Sequence, residues 1–428
     1  MRRVEYPSRN QWENLFQRAV STSSANEAKV IEILRDVQLR KDIAVLEYTR
    51  LYDQCELTSI RVTEKELFDA QNAVSLDLKE AIQIAMNNIE RFHQSQHSNS
   101  ALVETMPGVR CWRKSVGIEK VGLYIPGGSA PLFSTVLMLA LPARIAGCKQ
   151  VILCSPPDQN GNIHPAILYA AKVCGVKDVF KLGGVQAIAA MRYGTETIPA
   201  VSKIFGPGNS WVTLAKQLIA KDGFPIDIPA GPSELAIYAD ATVPSAYVAA
   251  DLLSQAEHGT DSQVVLVATE RIVIDEVLAE VELQLEQLPR KEIARASLKQ
   301  SLAVLVNDDV EAIEFLNAYA PEHLILACAD ATGLSDQVVN SGSVFLGAWS
   351  PESAGDYASG TNHTLPTNGH AMGWSGVSVD SFVRKITFQE ITREGLHRIA
   401  STVEVMAEAE GLHAHKNAVT IRMNDLIQ

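Results

Sequence analysis

The hydrophobic pattern between residues 120 and 232 is the most regular in the chain. Short apolar runs are followed by Gly or Pro turns and then by helical stretches, and this order occurs four times. Such alternation predicts parallel strands joined by crossover helices, as in a doubly wound α/β domain. The four predicted strands occupy residues 121–125, 151–154, 179–182 and 204–205.

Glycines follow three of these predicted strands, at Gly127-Gly128, Gly183-Gly184 and Gly206-Pro207-Gly208. Ligands of parallel sheets bind at the carboxyl ends of the strands, and glycine lets the backbone approach a ligand closely. The sequence contains no Gly-x-Gly-x-x-Gly, so a nucleotide would bind here without the standard Rossmann fingerprint. From the glycines alone, ordinary turns are the simpler interpretation.

Residues 233–347 continue the α/β pattern. Apolar runs at 264–267, 303–306 and 324–327 predict strands, and residues 274–288 predict a long charged helix. We expect either a second α/β domain here or the completion of one that begins before residue 120.

Helical patterns dominate both ends of the chain. Residues 1–20 carry only a few apolar side chains on one helical face, Trp12 among them, so we expect an arm. Capping-box patterns at 24–27 and 63–66 predict helix starts. One long helix is predicted by a stripe spaced four, three, four and three residues apart, formed by Leu78, Ile82, Ala85, Ile89 and Phe92.

From about residue 377 the pattern predicts charged helices that are broken at Gly411. Their apolar faces are too narrow to form a core alone, so we expect them to pack on another surface, such as another subunit. The clearest stripe consists of Leu396, Ile399, Val403 and Met406.

Composition and charge narrow the function classes. A length of 428 residues predicts about three domains. The net charge of −13 argues against a nucleic-acid partner, which requires a concentrated basic surface. The most apolar run, residues 136–142, is too short to span a bilayer, and the basic N-terminus lacks the apolar segment of a signal peptide. Six scattered cysteines without a Cys-x-x-Cys pair indicate reduced thiols in a cytoplasmic protein.

The segment 349–366 is the strongest candidate for a functional loop. Small and polar residues follow a predicted buried strand at 344–346, and such a segment has little apolar surface to offset its ordering entropy. It contains Asp356 and His363, which are both able to bind a metal or transfer protons. A solvated surface loop is an equally good interpretation of this stretch alone.

Three further groups of residues could carry chemistry. Gln255 and His258 are three apart at a predicted helix end, which suits half of a metal site, although a capped, solvated helix end is the commoner explanation. Glu322-His323 precedes a strand, where adjacent side chains point in opposite directions and could serve two sides of a substrate. Residues 410–415 place a glutamate and two histidines between the C-terminal helices.

Taken together, these segments resemble the histidinol dehydrogenase family over nearly the whole chain, from about Ser24 to the end. Several matching segments in the right order make chance agreement improbable. The segments are Tyr124-Ile-Pro-Gly-Gly-Ser-Ala-Pro131, Gly231-Pro-Ser-Glu234, Ser254-Gln-Ala-Glu-His-Gly259, Pro321-Glu-His323, Gly342-Ser-Val-Phe-Leu-Gly347, Ser350-Pro-Glu-Ser-Ala-Gly-Asp-Tyr-Ala-Ser-Gly-Thr-Asn-His363 and Ala414-His-Lys-Asn-Ala-Val419.

The resemblance implies a zinc enzyme that oxidises L-histidinol to L-histidine through L-histidinal in two successive NAD-dependent steps. It implies one zinc per subunit, held by Gln255, His258, Asp356 and His415. Glu322 and His323 would form the acid/base pair, with Glu322 activating water and His323 acting as a base. NAD would contact Tyr124, Gln186 and Asn209. The substrate would contact Ser233, His363, Glu410, His323 and the four zinc ligands.

For the fold, we expect two Rossmann-like doubly wound α/β domains, a small N-terminal arm and a helical C-terminal tail. The predicted domains are an arm at 1–20, a main α/β domain at 21–125 with 233–376 that carries most of the zinc and substrate site, an incomplete Rossmann-like NAD-binding domain at 126–232 and a helical dimerisation tail at 377–428. The resemblance further implies a homodimer in which each tail completes the partner's active site.

Three alternatives stay open from the sequence. A relative with the same scaffold, zinc and NAD could oxidise another amino or hydroxylated alcohol. A zinc hydrolase could use Glu322 to activate water, but it would need neither the glycine-rich strand ends nor Asn209. A catalytically silent binding or scaffold protein is disfavoured because every expected site position is occupied.

Overall fold

A computed structural model of the protein describes residues 1–18, 24–96, 101–127, 131–228 and 231–427. Gly128, one of the predicted strand-end glycines, lies outside these residues, as does the side chain of Ser24 in the first predicted capping box. The strands among the described residues are β1(Arg2–Glu5), β2(Val103–Met106), β3(Val109–Gly117), β4(Lys120–Tyr124), β5(Gln150–Ser155), β6(Asp178–Lys181), β7(Lys203–Phe205), β8(Glu234–Ala239), β9(Gln263–Ala268), β10(Leu302–Leu305), β11(His323–Ala327), β12(Ser343–Leu346) and β13(Val383–Ile391).

Helices connect most of these strands. Short π-helical or 3₁₀ turns occupy Thr49–Asp53, His370–Met372 and Val379–Phe382. The α-helices are α1(Arg9–Leu15), α2(Ser24–Arg40), α3(Asp42–Tyr48), α4(Glu64–Ala73), α5(Leu76–Gln94), α6(Phe133–Ile145), α7(Pro165–Val173), α8(Gly184–Tyr193), α9(Ser210–Lys221), α10(Ser245–Ala256), α11(Arg271–Leu285), α12(Lys291–Lys299), α13(Asp309–Tyr319), α14(Ala331–Ser335), α15(Glu352–Tyr357), α16(Arg393–Ala409) and α17(His413–Ile427).

The chain divides into two compact units. The first comprises Met1–Gln96 with Ile118–Phe382, and the second comprises His97–Gly117 with Val383–Gln428. The first unit contains two parallel sheets, so the expected α/β architecture with two doubly wound sheets is confirmed. The division into domains at residues 20, 125, 232 and 376 stays a prediction.

The four predicted strands between 120 and 232 form one parallel sheet in the order β6-β5-β4-β7. The chain adds β5 and β6 on one side of β4 and then returns to place β7 on the other side. Strand order therefore reverses next to β4, and ligands of such sheets bind at this kind of switch point. Helix α6 is buried along almost its whole length, which explains its uninterrupted apolar sequence.

The second sheet of this unit has six parallel strands in the order β1-β10-β9-β8-β11-β12. Its strand order reverses between β8 and β11, which are neighbours in the sheet. Part of the predicted arm belongs to this sheet, because β1 pairs with β10 as an edge strand. A four-residue strand with one central apolar residue, Val4, is too short for a periodicity argument to detect.

The predicted stripe on α5 is confirmed at its centre, where Ile82, Ala85 and Ile89 are buried. Phe92, the last member of the stripe, is 43% exposed, and the neighbouring His93 takes the buried position instead. The capping box at Thr63 is also confirmed, since its hydroxyl accepts a hydrogen bond from the backbone N–H of Glu66.

The second unit combines a small antiparallel sheet, in the order β13-β3-β2, with α16 and α17. The expectation that the chain is helical from residue 377 is correct for α16 and α17 but wrong for Val383–Ile391, which pairs with β3 along its full length. Ile386 and Phe388 alternate with polar neighbours there, a strand period that the charged context obscured.

Helix α16 leaves much of its apolar surface uncovered. The predicted stripe is only half-buried at Leu396, Ile399 and Val403, and Met406 is 60% exposed. At the start of α16, Gly395 lies against the carbonyl of Gly108, where an added Cβ would sit 2.2 Å from the oxygen. Only glycine allows the β2–β3 turn and the helix to approach this closely.

Candidate active site

A cavity of about 820 Å³ lies in the first unit at the carboxyl end of the four-stranded sheet. Tyr124 ends β4, Gln186 lies in the first turn of α8, and Asn209 precedes α9. All three side chains line the cavity, although they come from three separate strand-to-helix connections. These are the residues for which the family resemblance implies contacts with NAD.

Hydrogen bonds fix the three side chains in place. The Tyr124 hydroxyl accepts a hydrogen bond from the backbone N–H of Gly184 at 3.1 Å, and burial raises the pKa of Tyr124 to about 12, so its hydroxyl stays protonated. Asn209 caps α9 by accepting from Trp211 and Val212. Gln186 is buried and its amide nitrogen donates to Asp53, while its amide oxygen has no hydrogen-bond partner among the described residues.

A buried ion pair supports the turn that carries Asn209. The ammonium of Lys216 lies 2.5 Å from the Asp227 carboxylate, and both side chains are almost fully buried. Lys216 donates to the carbonyl of Gly206, and the N–H of Gly206 donates to Asp227. Gly206 has a φ of 121°, and an added Cβ would sit 2.0 Å from the carbonyl oxygen of Tyr124, so this position requires glycine.

Glu322 and His323 lie at the amino end of the six-stranded sheet, where β11 begins. The Glu322 carboxylate accepts a hydrogen bond from the backbone N–H of Glu234 at 2.9 Å, and burial raises the pKa of Glu322 to about 8. The expectation that the two side chains point in opposite directions is wrong, because Glu322 Oε2 lies 3.9 Å from His323 Nδ1. Glu322 precedes the strand, so strand alternation does not apply to it.

His323 is surrounded by carboxylates. Glu352 Oε1 lies 3.4 Å from His323 Nδ1, and Asp356 Oδ1 lies 3.6 Å from His323 Nε2. Burial disfavours the charged imidazolium, but the attraction of Glu352, Glu322 and Asp356 outweighs it and raises the pKa of His323 to about 10. The site therefore stabilises positive charge on this ring.

Glu352 is a site residue that the sequence analysis missed. The residue is 1% exposed, and within the described part of the chain neither carboxylate oxygen has a hydrogen-bond partner. The segment 349–366 was treated as a loop, whereas residues 352–357 form α15. The spacing of Glu352 and Asp356, four residues apart, was the available signal, because it places both carboxylates on one helical face.

Gln255 and His258 lie at the end of α10 and just beyond it. Gln255 is fully buried, and the residues that the structure describes offer no hydrogen-bond partner to its amide oxygen or its amide nitrogen. His258 lines the cavity, which accounts for its exposed surface. Desolvation lowers the pKa of His258, while the nearby Asp356 carboxylate acts to raise it.

His363 belongs to the same cluster. Its Nδ1 lies 2.9 Å from the backbone oxygen of Asp356, and its Nε2 lies 3.0 Å from the Thr135 hydroxyl. Burial lowers the pKa of His363, so a neutral ring is favoured, with Asp356 acting in the opposite direction. Ser233 is half-buried and immediately precedes β8, beside the strand that carries His323.

The structure does not place Glu410 and His415 in the first unit. Both belong to the second unit, at the end of α16 and the start of α17, and both side chains are exposed. His413 is exposed as well. The resemblance assigned Glu410 to the substrate and His415 to both the substrate and the metal. Both residues therefore lie on a surface of the second unit.

The donor atoms in the first unit fit a cation such as zinc, for which nitrogen and oxygen ligands are usual. The observation that carries this fit is the buried amide oxygen of Gln255, which has no hydrogen-bond partner in the described ranges. Within the described residues, one group of three acidic or histidine side chains has its ligand atoms within 4.8 Å of one another: His323, Glu352 and Asp356. Asp356 is common to this group and to the set that the resemblance implies.

A second buried carboxylate, that of Glu234, forms contacts at the amino end of the six-stranded sheet. Glu234 forms an ion pair with Arg18, whose Nε lies 2.5 Å from Glu234 Oε1, and also accepts from the N–H of Asn368 at 2.8 Å. Arg18 donates to the carbonyl of Tyr319 as well. A residue from the predicted arm thus helps to hold the strand whose N–H binds Glu322.

Two parallel sheets, a large cavity at the strand ends of one and a buried acid/base cluster at the amino end of the other together define an α/β enzyme. Comparison with known proteins gives the family. The family model described as histidinol dehydrogenase matches residues 16–423, and the chain belongs to this family.

Individual relatives agree with this assignment. The chain is 57% identical over 426 residues to a histidinol dehydrogenase of Bacteroides fragilis, with 100% of each protein covered. It is 50% identical to the histidinol dehydrogenase of Escherichia coli K12, with 96% of this chain and 94% of that protein covered. A crystal structure of histidinol dehydrogenase from Elizabethkingia anophelis superposes with a TM-score of 0.98 at 52% identity, covering 100% of this chain and 99% of that one. The protein is therefore an oxidoreductase of histidine biosynthesis.

No helix within the described residues combines the length and the hydropathy that crossing a membrane would require.

Proposed function

We propose that this dehydrogenase oxidises L-histidinol to L-histidine through L-histidinal, using two NAD⁺ and one zinc ion per subunit. The observation that carries the proposal is the cluster around His323. A buried imidazole contacts three carboxylates there. His258 lines a cavity large enough for a dinucleotide, and the charges of Asp356 and His323 act on its pKa, so the cavity and the cluster are neighbours. Family membership supplies the substrate.

His323 is the proposed base for the substrate hydroxyl. Its Nδ1 is close to Glu352 and to the backbone oxygen of Glu234, and its Nε2 is close to Asp356. With Asp356 engaged as a zinc ligand, Nε2 is the atom proposed to accept a proton from substrate. The carboxylates around the ring stabilise the imidazolium that forms when the proton is accepted. The alcohol loses this proton from oxygen and a hydride from carbon, and these losses give the aldehyde and one NADH.

Glu322 is the proposed base for the second step. Water gives a proton to the Glu322 carboxylate and adds to the aldehyde as hydroxide, and the resulting hydrate anion loses a second hydride to NAD⁺, which gives the acid and a second NADH. A base works best when its pKa lies near the operating pH, and burial raises the pKa of Glu322 to about 8. The hydrogen bond from the backbone N–H of Glu234 holds the carboxylate in one orientation.

The zinc ligands that we propose are Gln255, His258 and Asp356 from one subunit and His415 from the partner subunit. When bound, the zinc would anchor the substrate amine and imidazole, which is a positioning role. His363, Ser233 and Glu410 are the proposed further substrate contacts. The partnerless amide of Gln255 supports this set over the group of His323, Glu352 and Asp356, because that group would use the base as a ligand.

NAD is proposed to bind in the cavity against Tyr124, Gln186 and Asn209, where it would accept the hydride. The glycine turns after β4 and β6 bring backbone to the cavity wall, where Gly127 and Gly184 are part of the lining. The partnerless amide oxygen of Gln186 leaves an acceptor available for the ligand.

We further propose a homodimer in the cytoplasm with shared active sites. The second unit has a small core, and several of its apolar side chains are exposed, among them Val405, Met406 and Ile421. A two-fold dimer would cover such faces and bring Glu410 and His415 of each chain to the partner's site. The free state of all six cysteines supports the proposed compartment.

Metal removal tests this function. Prolonged chelation, checked by elemental analysis, should abolish NADH formation from L-histidinol, and zinc should restore it. Binding of L-histidinol, followed by calorimetry without NAD⁺, should weaken in the same chelated sample, because the proposed zinc anchors the substrate. Full activity of verified metal-free protein would contradict the proposal.

A further inference from the structure

Asp53 is an acidic side chain in the wall of the cavity to which neither the sequence nor the family comparison drew attention. It ends the π-helical turn Thr49–Asp53 and lines the cavity together with Tyr52, Tyr124 and Gln186. Gln186 Nε2 donates a long hydrogen bond, 3.4 Å, to Asp53 Oδ2. Two of the three proposed NAD contacts therefore share one part of the cavity with this carboxylate.

The environment of Asp53 is unfavourable for a charge in the free protein. Burial raises the pKa of Asp53 to about 6, and no basic side chain contributes to this shift. Retaining a desolvated carboxylate without a basic partner costs stability, which is typical of a group kept for a ligand.

Asp53 lies on the part of the cavity wall formed by Gln186 and Tyr124, whereas His258 lies on the part next to the acid/base cluster. The pKa of His258 is shifted by desolvation, Asp356 and His323, so the wall at His258 adjoins the reacting groups. Asp53 instead raises the pKa of Tyr124. Since hydride transfer requires the nicotinamide next to the substrate, the adenosine half of the dinucleotide is the part that reaches Asp53.

The groups beside Asp53 suit an adenosine. Tyr52, the preceding residue, is 47% exposed and stacks on Tyr48 with ring centroids 5.9 Å apart, so one ring face is held in a fixed orientation at the cavity wall. Aromatic faces of this kind stack on nucleobases. An ionised carboxylate accepts hydrogen bonds from both vicinal hydroxyls of a ribose, and in dinucleotide sites an acidic residue commonly has this role.

We propose that Asp53 binds the 2′- and 3′-hydroxyls of the adenosine ribose and thereby selects NAD over NADP. This inference rests on the proposed binding of NAD in the cavity. In NADP, a phosphate dianion takes the place of the 2′-hydroxyl. The carboxylate of Asp53 would then lose a hydrogen-bond donor and repel the phosphate. Arg290 is the one basic side chain among the described residues of the cavity wall, and it acts on His258.

Direct binding to the zinc-loaded, full-length protein tests the inference without measuring turnover. Calorimetry with NAD⁺ and with NADP⁺ should show a strong preference for NAD⁺ in the wild type. Asp53→Asn should weaken NAD⁺ binding by roughly tenfold and leave NADP⁺ binding unchanged or tighter, because a charge-assisted hydrogen bond is lost and a repulsion is removed. Glu56→Gln is the matched control: it removes a charge three residues away on the exposed surface and should bind as the wild type does.

A modified ligand gives a second measurement that does not depend on the folding of any variant. An NAD⁺ analogue that lacks the adenosine 2′-hydroxyl should bind the wild type roughly tenfold more weakly than NAD⁺ does. The Asp53→Asn variant should bind the analogue and NAD⁺ with equal affinity. If the wild type binds NAD⁺ but the analogue binds equally well, or the NAD⁺ preference survives in Asp53→Asn, the role of Asp53 is refuted and the proposed function stands. If the wild type binds no NAD⁺, both are refuted.

Discussion

The carboxylate of Glu352 lies 3.4 Å from Nδ1 of His323, and both side chains are almost completely buried. Among the described residues Glu352 has no hydrogen-bond partner, and it lies in the first turn of α15. The contact places a negative charge beside Nδ1, and the proposed mechanism uses the other nitrogen, Nε2, toward substrate. It makes Glu352 a positioning residue for the base.

Glu352→Gln should lower kcat by about 100-fold with both L-histidinol and L-histidinal, since the ring loses the charge that stabilises its protonated form. KM should change little, and Glu352→Asp should recover part of the rate. Zinc content, measured by elemental analysis, should equal that of the wild type. If Glu352→Gln loses the metal, Glu352 is a ligand and the proposed set is wrong.

Glu322→Gln should separate the two oxidations. Activation of water belongs only to the aldehyde step, so NADH formation from L-histidinal should fall by about 100-fold or more, while the first turnover from L-histidinol should fall much less. His323→Asn should reduce both. Rapid-mixing assays that start from each compound give the two rates. Equal losses in both assays for Glu322→Gln would refute this division of roles.

Asp53 should make stability depend on pH. Its pKa is raised from 3.8 to about 6 in the folded protein, so ionisation destabilises the fold above pH 6, and the penalty disappears below pH 4, where the carboxyl is protonated in both states. A shift of two pKa units corresponds to a loss of about 3 kcal/mol in the free energy of unfolding. Solvent screening reduces this loss to about 1–2 kcal/mol for this partly exposed side chain.

Asp53→Asn should therefore melt about 1–2 °C above the wild type at pH 7 and at the same temperature at pH 4. The neighbouring titratable groups Tyr124 and Cys55 have raised pKa values and stay neutral throughout this range. Thermal melting monitored by circular dichroism, with Glu56→Gln as the unshifted control, measures the effect. A variant that is equally or less stable at pH 7 would show that Asp53 is not held at a cost.

The sequence predicted the parallel sheets well because short apolar runs between Gly and Pro turns are a local signal, as at residues 151–154. It did not predict β1 or β13. Strand β1 has one apolar residue and β13 is rich in charged residues, so neither has a clear strand period, and each is recognised only by its pairing with a neighbouring strand. Glu352 and Asp53 were missed for a related reason. Their roles come from burial beside His323 and Gln186, which are distant in sequence, and a lone acidic residue is not a motif.

Mixed dimers test whether active sites are shared. His323→Asn damages the body of the site and His415→Asn damages the tail, so each variant alone should be nearly inactive. Random pairing after co-refolding of equal amounts makes half of the dimers hybrids, and each hybrid has one intact site, so about a quarter of normal activity should return. Activity that stays at the level of the two parents would show that each site is built from one chain.

The stoichiometry of NADH formation tests the central claim most directly. A limiting amount of L-histidinol is incubated to completion with the zinc-loaded protein and excess NAD⁺, and NADH and L-histidine are then quantified. Two successive hydride transfers predict two NADH and one L-histidine for each L-histidinol consumed, without accumulation of free aldehyde. One NADH per L-histidinol with aldehyde as the final product, or no NADH at all, would contradict the account.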